Sequence, residues 1–300
     1  MSAQDASPAA EDSWGSLVEP IHHDVPAGAP PWRDNAYLCF WDPAADLFGA
    51  LHVSTSPNAE GRRSRLSVHC GDEYIELIDP LESGTFNSRS VIFDTNDRFA
   101  VRAEEVAGEL IWQPRFAEAD YTGENAPKAY GGFDGPPLQH FQRGATVTGW
   151  ITVNGRRREF NGYGVRDRTW GYRDESAAIN ELIGFMWMFP TYMVTTIRLL
   201  TTAGTDQTLG FRVDESGCRQ VEKFTVTRDA AGLFRASTLT IAGADPITVR
   251  ADRRGGHWCP LGAERTGPVH SAFDEFSELH DDRGGTGFGM TTQGVVRRLY

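Results

Sequence analysis

The chain contains one clear β-hairpin, within the stretch TVTGWITVNGRRREFNGYGVRDRTWGYRD that runs from residue 146 to residue 174. Apolar and polar residues alternate over residues 146–153, as in a strand with one buried face. The pair Asn154-Gly155 follows and favours a two-residue type I′ turn, because both residues tolerate a positive φ. Residues 156–160 then predict the returning strand, so an antiparallel hairpin is the local unit from which the fold is built.

The rest of the chain also consists of patterns that predict short strands. From residue 35 to residue 298, runs of apolar or alternating residues recur, and turn-forming residues separate them. The spacing is about 8–12 residues, which favours an all-β sandwich or barrel. Roughly eight or nine strands fall in each half, close to the eight of a small barrel that holds one ligand.

Two halves are also indicated by an internal echo. Residues 162–165 (GYGV) and 287–290 (GFGM) resemble each other, and each lies near the end of one half. We expect an irregular or disordered lead-in over residues 1–34, a first barrel over 35–175 and a second over 176–300. Residues 176–182 predict a short helical linker between them.

Composition excludes several classes of protein. The 300 residues carry 29 Lys and Arg against 41 Asp and Glu, a net charge of −12. Such a surface repels phosphate, so we expect neither a nucleic-acid binder nor a protein of anionic membrane surfaces. No apolar run is long enough to span a bilayer, and no signal peptide is visible. Four scattered cysteines predict a reduced, cytoplasmic protein.

The segment after the hairpin is unusually rich in charge for a strand. Residues 161–174 hold three Arg, two Asp, two Tyr, one Trp and three Gly. Strand alternation places Asp167 on one face and its neighbours Arg166 and Arg168 on the other. A buried carboxylate needs partners, and Arg166, Arg168 and Arg173 are the nearest cations in sequence. Two interpretations stay open: Asp167 is a general acid or base, or the cluster is a structural lock that closes the barrel end.

The same segment resembles a family signature. The pattern GxGxRDxxWGxR is carried by Gly162, Gly164, Arg166, Asp167, Trp170, Gly171 and Arg173. It resembles the tandem lipocalin-like proteins grouped around hydroxyneurosporene synthase (carotenoid 1,2-hydratase), the AttH-like proteins and kievitone hydratase, and fits the uncharacterised bacterial branch best. The resemblance covers residues 35–298. Arg168 and Thr169 stand where many relatives have His and Ser, and Gln293 stands where a Glu is expected.

The resemblance implies both a fold and a chemistry. The fold is all-β, with two tandem lipocalin-like antiparallel β-barrels packed together around an aromatic-lined cavity. Members with known activity hydrate, cyclise or rearrange lipophilic alkenes without an organic cofactor. Such chemistry needs a proton donor with a raised pKa, aromatic faces that stabilise a cation, and a positioned water.

The chain supplies candidates for each of these roles. The acid–base candidates are Asp167, Asp42 and His140, and the candidate substrate-binding residues are Trp41, Trp112, Arg166, Trp170, Tyr172, Arg173 and Trp187. Asp42 precedes Pro43, so it either caps a turn or is an acid at the cavity mouth. His140 ends the long loop of residues 117–141 and either contacts a ligand or packs in the ordinary way. Charge and aromatic rings concentrate near residues 162–187, which favours a cavity at the interface of the barrels.

Three functions stay open at this point. The first is a cofactor-independent hydratase, isomerase or cyclase acting on a terpenoid, steroid-like or phenolic small molecule. The second is a carrier that binds a lipophilic ligand unchanged, and the third is a structural or interaction protein. The histidine spacing lacks any HExxH motif, so we expect no catalytic metal. Open barrel edges and exposed aromatic residues would allow a homodimer. Fold alone does not choose among these functions.

Overall fold

The computed structural model of the protein describes residues 14–22, 32–56, 61–123, 138–173, 179–260 and 268–298. Within these ranges the chain forms eighteen strands and one 3-10 turn, Gly15–Val18. The strands of the first half are β1 Trp32–Asp42, β2 Leu47–Ser56, β3 Gly61–Cys70, β4 Glu73–Pro80, β5 Val91–Phe93, β6 Arg98–Arg102, β7 Val106–Asp120, β8 Gln139–Val153 and β9 Arg156–Tyr172. Those of the second half are β10 Ile179–Met188, β11 Tyr192–Thr201, β12 Asp206–Asp214, β13 Gly217–Phe224, β14 Thr227–Arg228, β15 Phe234–Ile241, β16 Ile247–Pro260, β17 Pro268–Asp281 and β18 Thr286–Arg298.

Each half is one antiparallel sheet of nine strands. The first has the order β4-β3-β2-β1-β9-β8-β7-β6-β5, and the second repeats it as β13-β12-β11-β10-β18-β17-β16-β15-β14. The all-β prediction is confirmed, as is the type I′ hairpin, with φ of 46° at Asn154 and 77° at Gly155. The helical linker is wrong where the chain is described, because residues 179–182 begin β10. Residues 1–13, predicted to be disordered, lie outside the described ranges.

The two sheets close into barrels in different ways. In the second sheet β13 pairs with β15, so a ring of main-chain hydrogen bonds is completed. In the described part of the first sheet, β4 and β5 are edges, and the loop between them crosses the gap. There the Ser64 hydroxyl donates to Ser88 Oγ at 2.8 Å, and the main-chain N–H of Ser90 donates to Asp79 Oδ2 at 3.2 Å.

Alternation along β1 separates the barrel interior from the interface. Leu38 and Phe40 pack inside the first barrel, whereas Cys39 and Trp41 pack in a cluster that both barrels share. The lead-in is partly ordered, because Trp14 belongs to the interior cluster of the first barrel. A strand that is buried on both faces reads as an apolar run, which is how β1 appears in the sequence.

The internal echo marks equivalent strands. Residues 162–165 lie on β9 and 287–290 on β18, and each strand pairs with the first strand of its own sheet. Gly164 fits there because a Cβ would lie 2.7 Å from the Cys39 carbonyl oxygen and would also meet the Trp112 ring. Because β9 ends at Tyr172 and β10 begins at Ile179, we propose that the two barrels are the two domains. No helix of the described residues is both long and apolar enough to cross a membrane.

Candidate functional site

A cavity of about 190 Å³ lies between the two barrels. The first barrel lines it with His140, Gln142 and Asp167, and the second with Met186, Asp274 and Met290. These residues come from the outer faces of β8 and β9 on one side and of β10, β17 and β18 on the other. The cavity thus occupies the interface that charge and aromatic content favour, and both halves of the chain build it.

Three side chains hold the carboxylate of Asp167 on β9. Its Oδ2 lies 2.6 Å from His140 Nε2 and accepts a hydrogen bond from the Gln142 amide at 2.6 Å, while Oδ1 accepts one from the Thr169 hydroxyl at 2.9 Å. Strand pairing explains the arrangement, because Gln142 stands opposite Asp167 and His140 opposite Thr169 on the β8–β9 ladder. Cross-strand partners project from the same face of a sheet, so all four side chains meet.

These contacts keep Asp167 ionised. Burial by itself would raise its pKa, but the electrostatic interaction with His140 and the three hydrogen bonds outweigh burial and lower the pKa of Asp167. This differs from the expectation of a proton donor with a raised pKa. The role that fits a carboxylate in this state is to orient His140 and to stabilise its protonated form.

His140 lies between Asp167 and an aromatic platform. Its ring stacks on Tyr121, with ring centroids 4.6 Å apart and an interplanar angle of 20°. The Tyr121 hydroxyl lies 2.8 Å from the Thr195 hydroxyl of β11, so a residue of the second barrel fixes the platform. Since Nε2 of His140 faces Asp167, Nδ1 is the ring nitrogen left to accept a proton.

A second carboxyl, Asp274 of β17, lines the same cavity, and the sequence reasoning missed it. The Thr292 hydroxyl donates to its Oδ1 at 2.8 Å, and the Tyr37 hydroxyl of β1 donates to its Oδ2 at 3.2 Å. Burial raises the pKa of Asp274, and these hydrogen bonds offset only part of that effect. Asp274 therefore favours the neutral form, which is the state that a proton donor needs.

The sequence did contain a signal for Asp274. In Phe273-Asp274-Glu275-Phe276, two acids interrupt an otherwise apolar predicted strand. Alternation sends Asp274 to the cavity and Glu275 into the second barrel, where Glu275 Oε2 lies 3.0 Å from Arg253 Nε. Adjacent acids in a strand that is buried on both faces indicate a candidate site.

Arginines give part of the cavity a positive character. Arg33 of β1 and the predicted substrate-binding residue Arg173 both line it. His52 lines it too, and burial together with nearby arginines lowers the pKa of His52 to about 4, so its ring is neutral at pH 7. Guanidinium groups at such a surface suit an oxygen atom of a bound molecule.

Arg166 and Arg168 form the structural lock that was the alternative interpretation of the motif. Arg168 Nη1 lies 2.6 Å from Asp34 Oδ1, and both side chains are almost fully buried. Arg166 donates to the main-chain carbonyl of Thr95 at 2.6 Å, which ties the β5–β6 turn to β9. Neither arginine pairs with Asp167. The prediction that Arg166 and Arg168 are partners of Asp167 is therefore wrong, and His140, Gln142 and Thr169 contact it instead. Alternate residues of β9, such as Asp167, face the cavity, and the residues between them, such as Arg166 and Arg168, hold the first barrel together.

The predicted aromatic wall lies away from the cavity. Trp112 is buried inside the first barrel, Trp187 inside the second, Trp170 packs against the first interior, Tyr172 packs on Trp32, and Trp41 borders another cavity of the interface. The tyrosine rings that line the cavity from the interface are instead Tyr37 and Tyr121. Alternation explains the difference, because a residue one position away from the cavity-facing set points into a barrel.

Asp42 lies outside this cavity, lines the other interface cavity beside Trp41, and caps a turn. Its Oδ1 accepts hydrogen bonds from the main-chain N–H groups of Ala44 and Ala45 at 3.0 and 3.2 Å. Its Oδ2 accepts one from the N–H of Asn161 at 2.7 Å, which ties the β1–β2 turn to β9. This is the turn-capping alternative for Asp42. Among the described residues, no three His, Cys, Asp or Glu side chains are grouped so that they could hold a metal ion.

Solved structures share this architecture at low sequence identity. CghA superposes with a TM-score of 0.65 at 9% identity, over 95% of this chain and 96% of its own. A putative AttH from Nitrosomonas europaea gives 0.62 at 12% identity, over 91% and 98% of the two chains. Kievitone hydratase from Nectria haematococca gives 0.56 at 13% identity, over 95% of each chain. At these identities the likeness shows a common fold, the tandem lipocalin-like fold that the motif implied.

The family is shown by the sequence itself. No curated protein sequence gives a significant match. The model of a domain of unknown function, DUF7064, matches residues 19–293, which span both barrels and every cavity residue named above. The chain therefore belongs to the DUF7064 family, whose fold here is that of the tandem lipocalin-like proteins.

Proposed function

We propose that the protein is an enzyme that works without an organic cofactor and adds water to, or isomerises, a lipophilic small molecule in the cavity between the barrels. One observation carries the proposal: a single cavity holds two carboxyl groups whose surroundings move their pKa values in opposite directions. Such a separation is the usual arrangement by which one site provides both an acid and a base.

The two carboxyl groups have different roles. Asp274 is the proton donor, because burial raises its pKa and so favours its neutral form, and the Tyr37 and Thr292 hydroxyls hold it in place. His140 is the base, because Asp167 stabilises the imidazolium that forms when His140 takes a proton. This pairing of acid and base lies across the barrel interface, so each barrel contributes one half of the chemistry.

Hydration of an alkene then follows in balanced steps. Asp274 transfers its proton to one alkene carbon, or to the oxygen of a conjugated carbonyl, and the other carbon becomes electron-poor. Water attacks that carbon while His140 Nδ1 accepts a proton from the attacking water. His140 later returns its proton through solvent to Asp274, which restores both groups. Without the attack of water, loss of a different proton gives an isomer.

The walls of the cavity indicate the kind of substrate. Leu182, Ile197 and Met290 are apolar and favour a terpenoid, steroid-like or phenolic skeleton. Arg33 and Arg173 are placed to bind its carbonyl or phenolic oxygen. Kievitone hydratase is by its name a hydratase, and its common fold with this chain supports the reaction class.

A turnover screen in water labelled with heavy oxygen tests the proposal. The purified protein is incubated with alkenes, alkenols and phenolic enones, and mass spectrometry reads the products. We expect a labelled product with the wild type and a loss of about 10²–10⁴ in rate for Asp167→Asn, because the base His140 loses the carboxylate that orients it and stabilises its imidazolium. Asp206→Asn is the matched control, because it changes a carboxylate of a surface ion pair with Arg198 that lines neither interface cavity, and it should keep full activity.

The same screen can overturn the proposal. Compounds that bind and return unchanged, with the same affinity for the wild type and for Asp167→Asn, would establish the carrier function instead. An unlabelled product with rearranged double bonds would keep the acid–base mechanism and assign an isomerase.

A further inference from the structure

A second cavity lies on the same interface. Its volume is about 160 Å³. Trp41, Phe48, Phe276 and Phe288 give it aromatic walls, and its polar lining residues are Asp42, Asp46, Arg254 and Ser277. Sites for small molecules commonly measure about 300–1,000 Å³. Neither cavity reaches that size alone, whereas the two together reach its lower end.

Two strands lead from one cavity to the other. On β1, Tyr37 lines the first cavity and Trp41 the second, about 13 Å further along at 3.3 Å per residue. On β18, Met290 lines the first cavity and Phe288 the second. Both pairs project from the face of their strand that meets the other barrel, so the two cavities follow one another along the same pair of strands.

Sulfur-containing side chains separate the two cavities. Cys39, between Tyr37 and Trp41 on the same face of β1, has its Sγ 3.7 Å from Met186 Sδ. The Tyr37 hydroxyl lies 3.0 Å from Met290 Sδ. Methionine side chains are unbranched and adapt to what they contact, so this partition can move without disturbing the strands.

Two other methionines of the interface are held more tightly. A Cβ atom at Gly144 would lie 2.6 Å from Met188 Sδ and 3.2 Å from Met193 Sδ, so no space remains beside them. Met186 and Met290, by contrast, border open volume in the first cavity. The adaptable positions are therefore those that a ligand would meet.

We propose that the substrate is an elongated lipophile, whose reactive group lies beside Asp167 and Asp274 and whose apolar tail displaces Met290 and enters the second cavity. The inference rests on the proposed function for the position of the reactive group. The rings of the second cavity suit the apolar part of the tail, and Arg254 and Ser277 of the same cavity suit a polar group at its end. The indole Nε1 of Trp41, buried and without an acceptor among the described residues, provides a donor for an oxygen atom near the end of the tail.

A chain-length series of para-alkylphenols, from para-ethylphenol to para-decylphenol, tests by isothermal titration calorimetry whether the two cavities form one groove for a ligand. We expect affinity to rise about threefold to fourfold per methylene, and to keep rising beyond the chain length that fills the first cavity. Phe288→Trp fills part of the second cavity and should weaken only the long chains, by tenfold or more at para-decylphenol. Met290→Ala removes the partition and should strengthen the same long chains.

Controls separate this inference from the proposed function. Met193→Leu changes a packed methionine outside the partition and should leave the whole series unchanged, and thermal unfolding checks that every variant is folded. A series that levels off at short chains in the wild type, or long-chain affinity that is indifferent to Phe288→Trp, overturns the groove. Asp274→Asn should leave the affinities of the para-alkylphenol series unchanged while it abolishes turnover. Failure of the groove would therefore appear in the affinities, and failure of the proposed function would appear in turnover.

Discussion

The two barrels share one strand order but are held together by different forces. The second closes through main-chain pairing of β13 with β15, and stacked rings such as Phe185 and Trp187, 4.0 Å apart, fill its interior. The first leaves β4 and β5 as edges, and its interior holds the buried pair of Arg168 and Asp34. Both interiors are mainly apolar and each also contains an ion pair, Arg168 with Asp34 in the first barrel and Arg253 with Glu275 in the second, so each buried acid has a partner.

The barrels also carry the carboxyl of the site on different strands. The equivalence of β9 and β18 matches Asp167 to Thr292, and their ladder partners match Gln142 to Asp274. At this equivalent cross-strand pair, the carboxyl group belongs to the last strand of the first barrel, where Asp167 lies on β9. In the second barrel it belongs to the strand before the last, where Asp274 lies on β17. Asp167 is ionised because donors surround it, and Asp274 favours its neutral form because burial dominates, so environment rather than residue type sets the roles.

The largest effect that we expect comes from removing the proposed proton donor, Asp274. Asp274→Asn should lower turnover by about 10²–10⁴, because the substrate loses its proton donor. Wild-type activity should fall as pH rises through the raised pKa of Asp274, and the residual activity of the variant should lack that decline. A pH–rate profile of the substrate found in the screen measures both effects. An unchanged high-pH decline in the variant would assign the acid elsewhere.

The next largest effect tests the buried ion pair of Asp34 and Arg168 in the first barrel. Asp34→Ala leaves the buried guanidinium of Arg168 without its carboxylate and should cost about 3–5 kcal/mol of unfolding free energy. Glu275→Gln in the second barrel should cost less, because burial already raises the pKa of Glu275 towards the neutral form. Urea denaturation compares the two with Asp206→Ala, which breaks a surface ion pair with Arg198 and should scarcely change the midpoint. Equal losses for Asp34→Ala and Asp206→Ala would contradict the lock.

A third prediction compares how pH changes the contributions of Asp167 and Asp274 to the free energy of unfolding. The pKa of Asp167 is lowered by folding, so its contribution to stability is present above its unfolded pKa and is lost as pH falls through the folded value. The pKa of Asp274 is raised, so it destabilises the fold increasingly as pH rises from its unfolded to its folded value. At pH 7, Asp167→Asn should therefore unfold more easily than the wild type and Asp274→Asn less easily, with both differences shrinking towards pH 3. Thermal unfolding across this range gives the signs, and matching signs at pH 7 would refute the assignment.

The smallest effect concerns how the barrels are closed. Ser88→Ala removes the acceptor of the buried Ser64 hydroxyl and should cost about 1 kcal/mol. Thr240→Val on β15 changes a side chain where main-chain bonds make the closure, and should have a smaller effect. Chemical denaturation of both variants measures the difference. A greater loss in Thr240→Val would mean that side chains close the second barrel as well.

Much of the site followed from local sequence, and the missing part has a clear cause. The motif of residues 161–174 identified Asp167 and the two faces of β9, since strand alternation is a local rule. It did not identify His140 as the partner of Asp167, because ladder register decides which residues of β8 stand opposite. Tyr37 and Asp274 are 237 positions apart, and no local pattern joins them.

The sequence by itself determined an all-β chain of two related halves, the hairpin at Asn154-Gly155 and the charged strand that carries Asp167. Turn preferences and the two-residue alternation of strands depend on residues that are neighbours in sequence, so the sequence alone is enough to predict them. Only the tertiary structure decided that the outer faces of two barrels meet and enclose two carboxyl groups, one ionised and one favouring its neutral form. Burial and pairing fix a pKa, and both depend on residues that are distant in sequence.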